Sequence, residues 1–390
     1  MYHRVIQRII IITLLLCSAY SILWLIQAQS STSAIKQAQH FIDSHIDTPN
    51  YHFIYGHTQT SGFPYTLNIA VHEPTFIIPK SHNTAAIKIS SLEPIIISST
   101  LFSDDINITL PPSIIVATSH EDSLEFIFES PAKLSVQLTK NHLLPTHLQT
   151  IFLSKLRATL HELNYTDKGF SVVSSTGRTI ASSKKNSLNL RYQGKLHNKL
   201  ATHLIASIHD LNINDIKNDV LNNDNDHLYS PVSIALDTML VSPQDTLLPG
   251  TKTQIRVNEI SYRSDMFEAQ LYADLTRSKP DPLPFGKARL SLHNYANFVD
   301  YHSQILNYYT AHSNSPLKQI NHQTIRGIKH FLSTLATEHH HFGRDILIIT
   351  SRKKHGNISI GARSFEQAIE LLAHSIMQPH NVDDSRYAEY

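Results

Sequence analysis

The sequence predicts an α+β protein: an N-terminal transmembrane helix, then a large, curved, mainly antiparallel β-sheet domain with helices clustered in the C-terminal third. Three observations carry this reading. A nearly unbroken apolar run extends from Ile9 to Ile26. Two-residue hydrophobic alternation dominates from Phe63 to Leu292. Helical spacing of apolar residues returns only from Tyr295 onward.

The apolar run reads IIIITLLLCSAYSILWLI, with Thr13, Ser18 and Ser21 as its polar interruptions. Their hydroxyls can bond back to helix carbonyls. About 18 residues of helix rise roughly 27 Å, close to the hydrocarbon thickness of a bilayer. Arg4 and Arg8 precede the run, and the next basic residue is Lys36. The positive-inside bias then makes residues 1–8 a cytoplasmic tail and 9–26 a single-pass anchor in the inner membrane, with the bulk of the chain in the periplasm. Tyr20 and Trp24 fall towards the outer end, where aromatic rings favour the interface. A cleaved signal peptide has a shorter apolar core ending in small residues. Here apolar residues continue past Cys17-Ser18-Ala19 to Ile26, which favours a retained anchor. Ile35, Phe41, Ile42 and Ile46 keep helical spacing, so residues 27–48 form a helical extension that Pro49 stops.

Beyond it, alternation marks strands with one apolar face: Phe63 to Val71, Ile106 to Leu110, Leu124 to Phe128, Leu134 to Leu138 and Leu188 to Tyr192. Further strands are expected around Ile234, Ile255, Phe267 and Ala288, and the frame slips between Val257 and Ile260, which predicts a bulge near Asn258-Glu259. The polar stretch Asn212 to Asp226 divides a β-rich half, 49–225, from a half of sheet plus helices, 226–390. Amphipathic stripes at Tyr295–Tyr309 and Ile325–Leu335 predict two helices. A strand–turn–strand unit then leads into a helix capped by Ser364 and Gln367.

Chemistry is sparse. Among 390 residues the formal net charge is +1, so no field of one sign points to nucleic acid. Cys17 is the sole cysteine and lies inside the apolar run, which excludes disulfides and thiolate chemistry from the remainder. The 11 glycines form no phosphate-binding or nucleophile-elbow pattern, and His161-Glu162 has no second histidine at zincin spacing. No catalytic residue, cofactor or metal is expected. The run His339-His340-His341 reads as a polar helix end, since neighbouring side chains diverge. His72-Glu73 and His209-Asp210 read as surface neighbours rather than acid–base pairs, because adjacent strand residues face opposite ways.

Gly62-Phe63-Pro64 heads the first strong strand and reads as a fold-defining turn: glycine for the tight approach, Phe63 as a buried anchor, proline where no ladder donor is needed. With the anchor before it, this motif resembles the bacterial envelope proteins grouped as domain-of-unknown-function family 2125. The stretch Thr251–Asp300 (IRVNEISYRSDMFEAQLYADL…ARLSLHNYANFVD) and the closing Gly356-Asn357-Ile358-Ser359-Ile360-Gly361 are similar as well. More remotely the pattern is similar to AsmA-like and YdgA-like proteins. The resemblance implies a long sheet curled into a lipid-facing groove, with no catalytic residues to carry over. On that reading Leu67, Ile69, Ile108, Phe126 and Phe128 are candidates for an apolar groove, and the expected partners are the bilayer, a phospholipid or an envelope protein. The expected role is non-enzymatic lipid handling or envelope maintenance. A scaffold with a closed core and a hydrolase with a scattered site are the alternatives.

Overall fold

The computed structural model describes residues 20–26, 28–29, 32–33, 35–36, 39 and 52–377, apart from 81–85, 101–104, 119–122, 139–159, 197–198, 214–229, 244–251, 279–284, 313–321, 341–345 and 355–356. Residues 9–19 of the apolar run, the tail 1–8 and most of the extension 27–48 therefore lie outside the described residues, while 20–26 are helical. Among the described residues no helix is long and apolar enough to cross a membrane. The chain divides into two compact units, Met1–Tyr192 and Gln193–Tyr390. This division precedes the polar stretch 212–226, most of which is not described.

The first unit is an antiparallel meander in which each strand is bent in its middle. One half of every strand pairs in a first wall, in the order Thr58–Ser61, Thr66–Val71, Ile95–Thr100, Asp105–Thr109, Lys133–Leu138, Leu160–Asp167 and Lys185–Leu196. The other half pairs in a second wall: His52–Ile54, Thr75–Ile78, Ile87–Ser90, Ser113–Thr118, Ser123–Phe128, Phe170–Ser174 and Thr179–Ser183. Between the walls runs a crease at residues 55–57, 72–74, 91–94, 110–112, 129–132, 168–169 and 184.

The crease has a chemical cause. Pro74, Pro94, Pro111, Pro112 and Pro131 all sit in it, and a proline cannot donate to a continuing ladder. Glu73 and Gly169 add left-handed backbone, with φ of 53° and 129°. Backbone bonds stitch the bend across neighbouring strands. The Ser91 amide donates to the Pro74 carbonyl at 3.1 Å, Leu110 to Ala132 at 2.8 Å, and Phe128 to Pro112 at 2.8 Å. On one side of the crease Val71, Ser91, Ala132, Asp167, Ser183 and Asn186 are buried; on the other Glu73, Leu92, Glu129, Lys168 and Lys184 are exposed. The meander thus folds towards the side that carries its apolar residues.

The outer face of the first wall is polar. Glu162 accepts from Asn189 Nδ2 at 2.6 Å and Asn164 Nδ2 at 3.0 Å, and pairs with Arg191 at 3.3 Å. These donors, the Asn189 amide foremost, outweigh the opposing effect of burial and hold the carboxyl below its ordinary 4.5. A depressed folded-state value means the stabilisation is complete above pH 4.5 and is lost as pH falls through the lower folded value. Glu162→Gln is accordingly expected to flatten the acid side of the stability curve while leaving its shape near neutrality, as read from urea unfolding at a series of pH values.

The second unit is a meander of long strands, Lys199–Ile213, Val232–Pro243, Lys252–Arg263, Glu268–Ser278, Phe285–His293 and Ile346–Lys354, paired in that order. The expected bulge is present: the register shifts between Val257 and Ile260. Helices Tyr295–His312 and His322–Leu335 enter between the last two strands, and Phe365–Met377 follows the short strands Asn357–Ile360 and Arg363–Ser364. All three helices lie on the apolar face of the sheet. Phe298 and Tyr301 pack on Val232 and Phe267, Leu332 packs on Leu292 and Leu347, and Ala368 with Leu335 covers Ile349. Ser364 and Gln367 form the expected reciprocal cap, at 3.0 and 3.2 Å. The histidine run departs from expectation. The helix ends at Leu335, and Glu338–His340 is a short strand paired with Ile346–Ile348, because the backbone there is claimed by the sheet edge.

Candidate functional site

Strand register in the first unit assembles apolar rows across both walls. In the first wall Ile69, Ile97, Ile108, Leu134, Tyr165 and Leu188 stand opposite one another in sequence of strands. Directly paired antiparallel residues point to the same face, so this row is one surface. In the second wall Phe76, Ile89, Val116 and Leu124 form one row, and Ile114, Phe126, Val172 and Ala181 form the next. Phe128 pairs with Phe170, whose ring also lies 6.0 Å from that of Phe126. Most of these side chains are only half-buried, whereas Ser91, Ala132, Asp167, Ser183 and Asn186, in or beside the crease, are buried. The result is a trough with a closed floor and partly open apolar walls.

The candidate groove residues divide. Ile108 lines the first wall, and Phe126 and Phe128 line the second, all half-exposed. Leu67 and Ile69 lie on the first wall too, but each is only 2% exposed, because Trp24 and Ala28 of the N-terminal helical residues pack over them with Ile35 and Ile97. They hold the helix to the sheet. Phe76, Ile114, Val116, Phe170 and Val172 also line the second wall and were missed in the sequence. Their alternation is legible there, but only the register shows that they share a face with Phe126.

Polar groups close the floor at one end. Asp167 Oδ1 accepts from the Gly169 amide and from Asn186 Nδ2, each at 2.7 Å, and Asn186 Nδ2 also reaches Ser183 Oγ at 2.8 Å. Burial, and then the neighbouring Asp167, push the Tyr165 phenol above its ordinary range.

The Gly62–Tyr65 turn caps the start of the first wall. Gly62 has φ of 97°, and a Cβ there would lie 2.6 Å from Thr66 Oγ1 and 2.8 Å from the Thr66 carbonyl. The Thr66 amide donates to the Gly62 carbonyl at 3.0 Å, and the Phe63–Pro64 peptide is cis. Gly62→Ala is expected to cost about 1–3 kcal/mol, since both the backbone conformation and the space resist it; chemical unfolding of the full chain measures this. Phe63 is not the buried anchor expected. It is half-exposed and rests edge-on against Trp24 at 5.5 Å, because the helix offers only one side for it to cover.

The two histidine–carboxylate dipeptides read as surface neighbours in the sequence. His72 stacks on His57 at 4.2 Å while Glu73 is exposed, and His209 is exposed beside Asp210 in left-handed backbone. A closer pair lies across strands of the second unit: His203 Nε2 and Asp237 Oδ1 at 2.7 Å, with Asn258 Nδ2 donating to the same oxygen at 2.8 Å. Burial works to raise the Asp237 pKa, but these bonds prevail and hold it low. The second unit also has a cleft of about 660 Å3 with Arg256, Lys287, Arg289, Asp274 and Tyr272 among its lining residues. Among the described residues no cluster of three or more histidine, cysteine or acidic side chains could hold a metal ion.

No protein-family model matches the sequence, and no curated protein is significantly similar to it.

Proposed function

We propose that this is a single-pass inner-membrane protein whose periplasmic body receives lipid chains in the trough of the first unit, without catalysing a reaction on them. The observation that carries this is the creased meander. Apolar residues occupy the same side of both walls, and apart from buried Leu67, Ile69, Val136 and Val172 most of them stay partly exposed, whereas a closed core would bury them all. The tether has separate support in the apolar run 9–26 with Arg4 and Arg8 before it. Among the described residues the trough walls carry no charged side chain, which fits an acyl chain better than a polar substrate.

The test places a photocrosslinking amino acid at Val116 of the full chain in living bacterial cells, and at Ile115 as its neighbour on the opposite face. Phospholipid adducts at 116 and few at 115 are expected. Adducts at neither position, with protein adducts at 116 instead, would transfer the reading to an interaction scaffold. That rival draws on the second unit, whose helices cover much of the apolar sheet face.

A further inference from the structure

We propose that the Gly62–Tyr65 turn is a membrane foot: Phe63 and Tyr65 enter the headgroup zone of the bilayer beside helical residues 20–26, and so fix one end of the trough at the lipid surface. This rests on the reading of residues 9–26 as a membrane anchor. It adds a second, independent segment of chain to the membrane contact.

Exposure points to it first. Ile22, Leu23, Leu25 and Ile26 are 50–60% exposed, Phe63 is 51% exposed and Tyr65 is 81% exposed. Isolated surface apolar groups are ordinary, but a contiguous patch is not. The two exposed groups sit on segments held together, because the turn is clamped to the helix. Trp24 Nε1 donates to the Thr66 carbonyl at 3.0 Å, the Tyr20 hydroxyl donates to the Pro64 carbonyl, and the Phe63 ring meets both aromatic rings. Trp24 and Ala28, one helical turn apart, face the sheet at Leu67 and Ile69, so Ile22 and Ile26, on the opposite side of the helix from Trp24, are turned away from it.

Charge points the same way. No Asp, Glu, Lys or Arg occurs from Ile9 to Ile35 or from Gly56 to Val71, although both segments reach the surface at this corner. The interfacial layer of a bilayer favours tyrosine and tryptophan mixed with aliphatic groups, which is the composition of this corner. On the anchor reading Tyr20 and Trp24 fall in the outer part of the apolar run 9–26, and the clamp holds Pro64 and Thr66 level with them. The turn lies at the first-wall end of the bent strands. The turn at residues 175–178 lies at the opposite, second-wall end.

The full chain is reconstituted into phosphatidylcholine–phosphatidylglycerol vesicles for the test. Trp24 is the sole tryptophan, so its emission reports the anchor alone. The turn is reported separately by Tyr65→Cys in a Cys17→Ser background, labelled with an environment-sensitive fluorophore; Ser175→Cys is the control. The high exposure of Tyr65 leaves the packing intact on replacement. Lipids brominated or spin-labelled near the headgroup are expected to quench both Trp24 and the label at 65 at least twofold, with the label at 175 open to aqueous iodide instead. Quenching of Trp24 with the label at 65 open to iodide would overturn the foot and leave the anchor standing. Quenching of neither would overturn both. Should the labelled protein not fold, photocrosslinking to lipid from position 65 in whole cells decides the same question.

Discussion

Replacing Phe126 with glutamate is expected to abolish lipid capture while leaving the protein folded. Phe126 lies in the second wall between Ile114 and Val172, and its ring is only partly buried. With the trough open, a glutamate there turns its carboxylate into the water of the groove and escapes the penalty for burying an unpaired charge. The stability lost is that of a partly buried ring, about 1–2 kcal/mol. This is well within the ~5–15 kcal/mol of an ordinary domain. An acyl chain laid along the wall would meet a hydrated anion, and crosslinking to lipid from Val116 is expected to fall at least about tenfold, the equivalent of 1.4 kcal/mol. Ile127 provides the control. It is the next residue, it points to the opposite face, and it is 40% exposed, so Ile127→Glu should leave lipid capture unchanged. Equal loss in the two variants would mean that the trough is not the binding surface. Unfolding of the Phe126 variant would mean that the wall is part of a closed core.

The strands themselves were legible in the sequence because each wall has one apolar face, and a period of two survives wherever one face is drier than the other. The bulge at Asn258-Glu259 and the cap at Ser364 were legible for the same local reason: each is set by residues within a few positions of one another. The crease was not read, although its signal is present. Pro74, Pro94, Pro111, Pro112 and Pro131 interrupt successive strands, and a proline between two alternating runs reads equally well as a turn between separate strands. Only pairing across strands shows that the chain continues forward at these points and does not reverse. Leu67 and Ile69 carry the same pattern as Ile108, yet a helix some 40 residues earlier covers them, and alternation cannot tell a face that meets solvent from one that meets another element. Phe63 was misjudged for a related reason. Its neighbours Tyr20 and Trp24 are distant in sequence, and they leave half of the ring uncovered.

Asn186→Leu is expected to be among the most damaging single changes to the fold, at about 2–4 kcal/mol. The strand bends at Lys168-Gly169: the Gly169 carbonyl accepts from the Glu129 amide at 3.0 Å, and the Gly169 amide needs a side-chain acceptor in place of a ladder partner. Asp167 takes over that role by accepting from the Gly169 amide, and Asn186 supplies a second donor to the same oxygen while tying in Ser183. Asp167, Ser183 and Asn186 are each at most 6% exposed, so a lost donor cannot be replaced by bulk water. Leucine matches the volume of asparagine only approximately and removes both bonds, which leaves the Gly169 amide as the remaining donor to Asp167 Oδ1 at a buried site. Asn107→Leu is the matched control, since Asn107 is exposed on the outer face of the first wall; it should stay within about 0.5 kcal/mol of the parent. Urea unfolding of the full chain, followed by far-UV circular dichroism, separates the two. Equal, small effects would show that the crease is held by its backbone bonds and prolines alone, and that the polar cluster beneath the trough contributes nothing to keeping it bent.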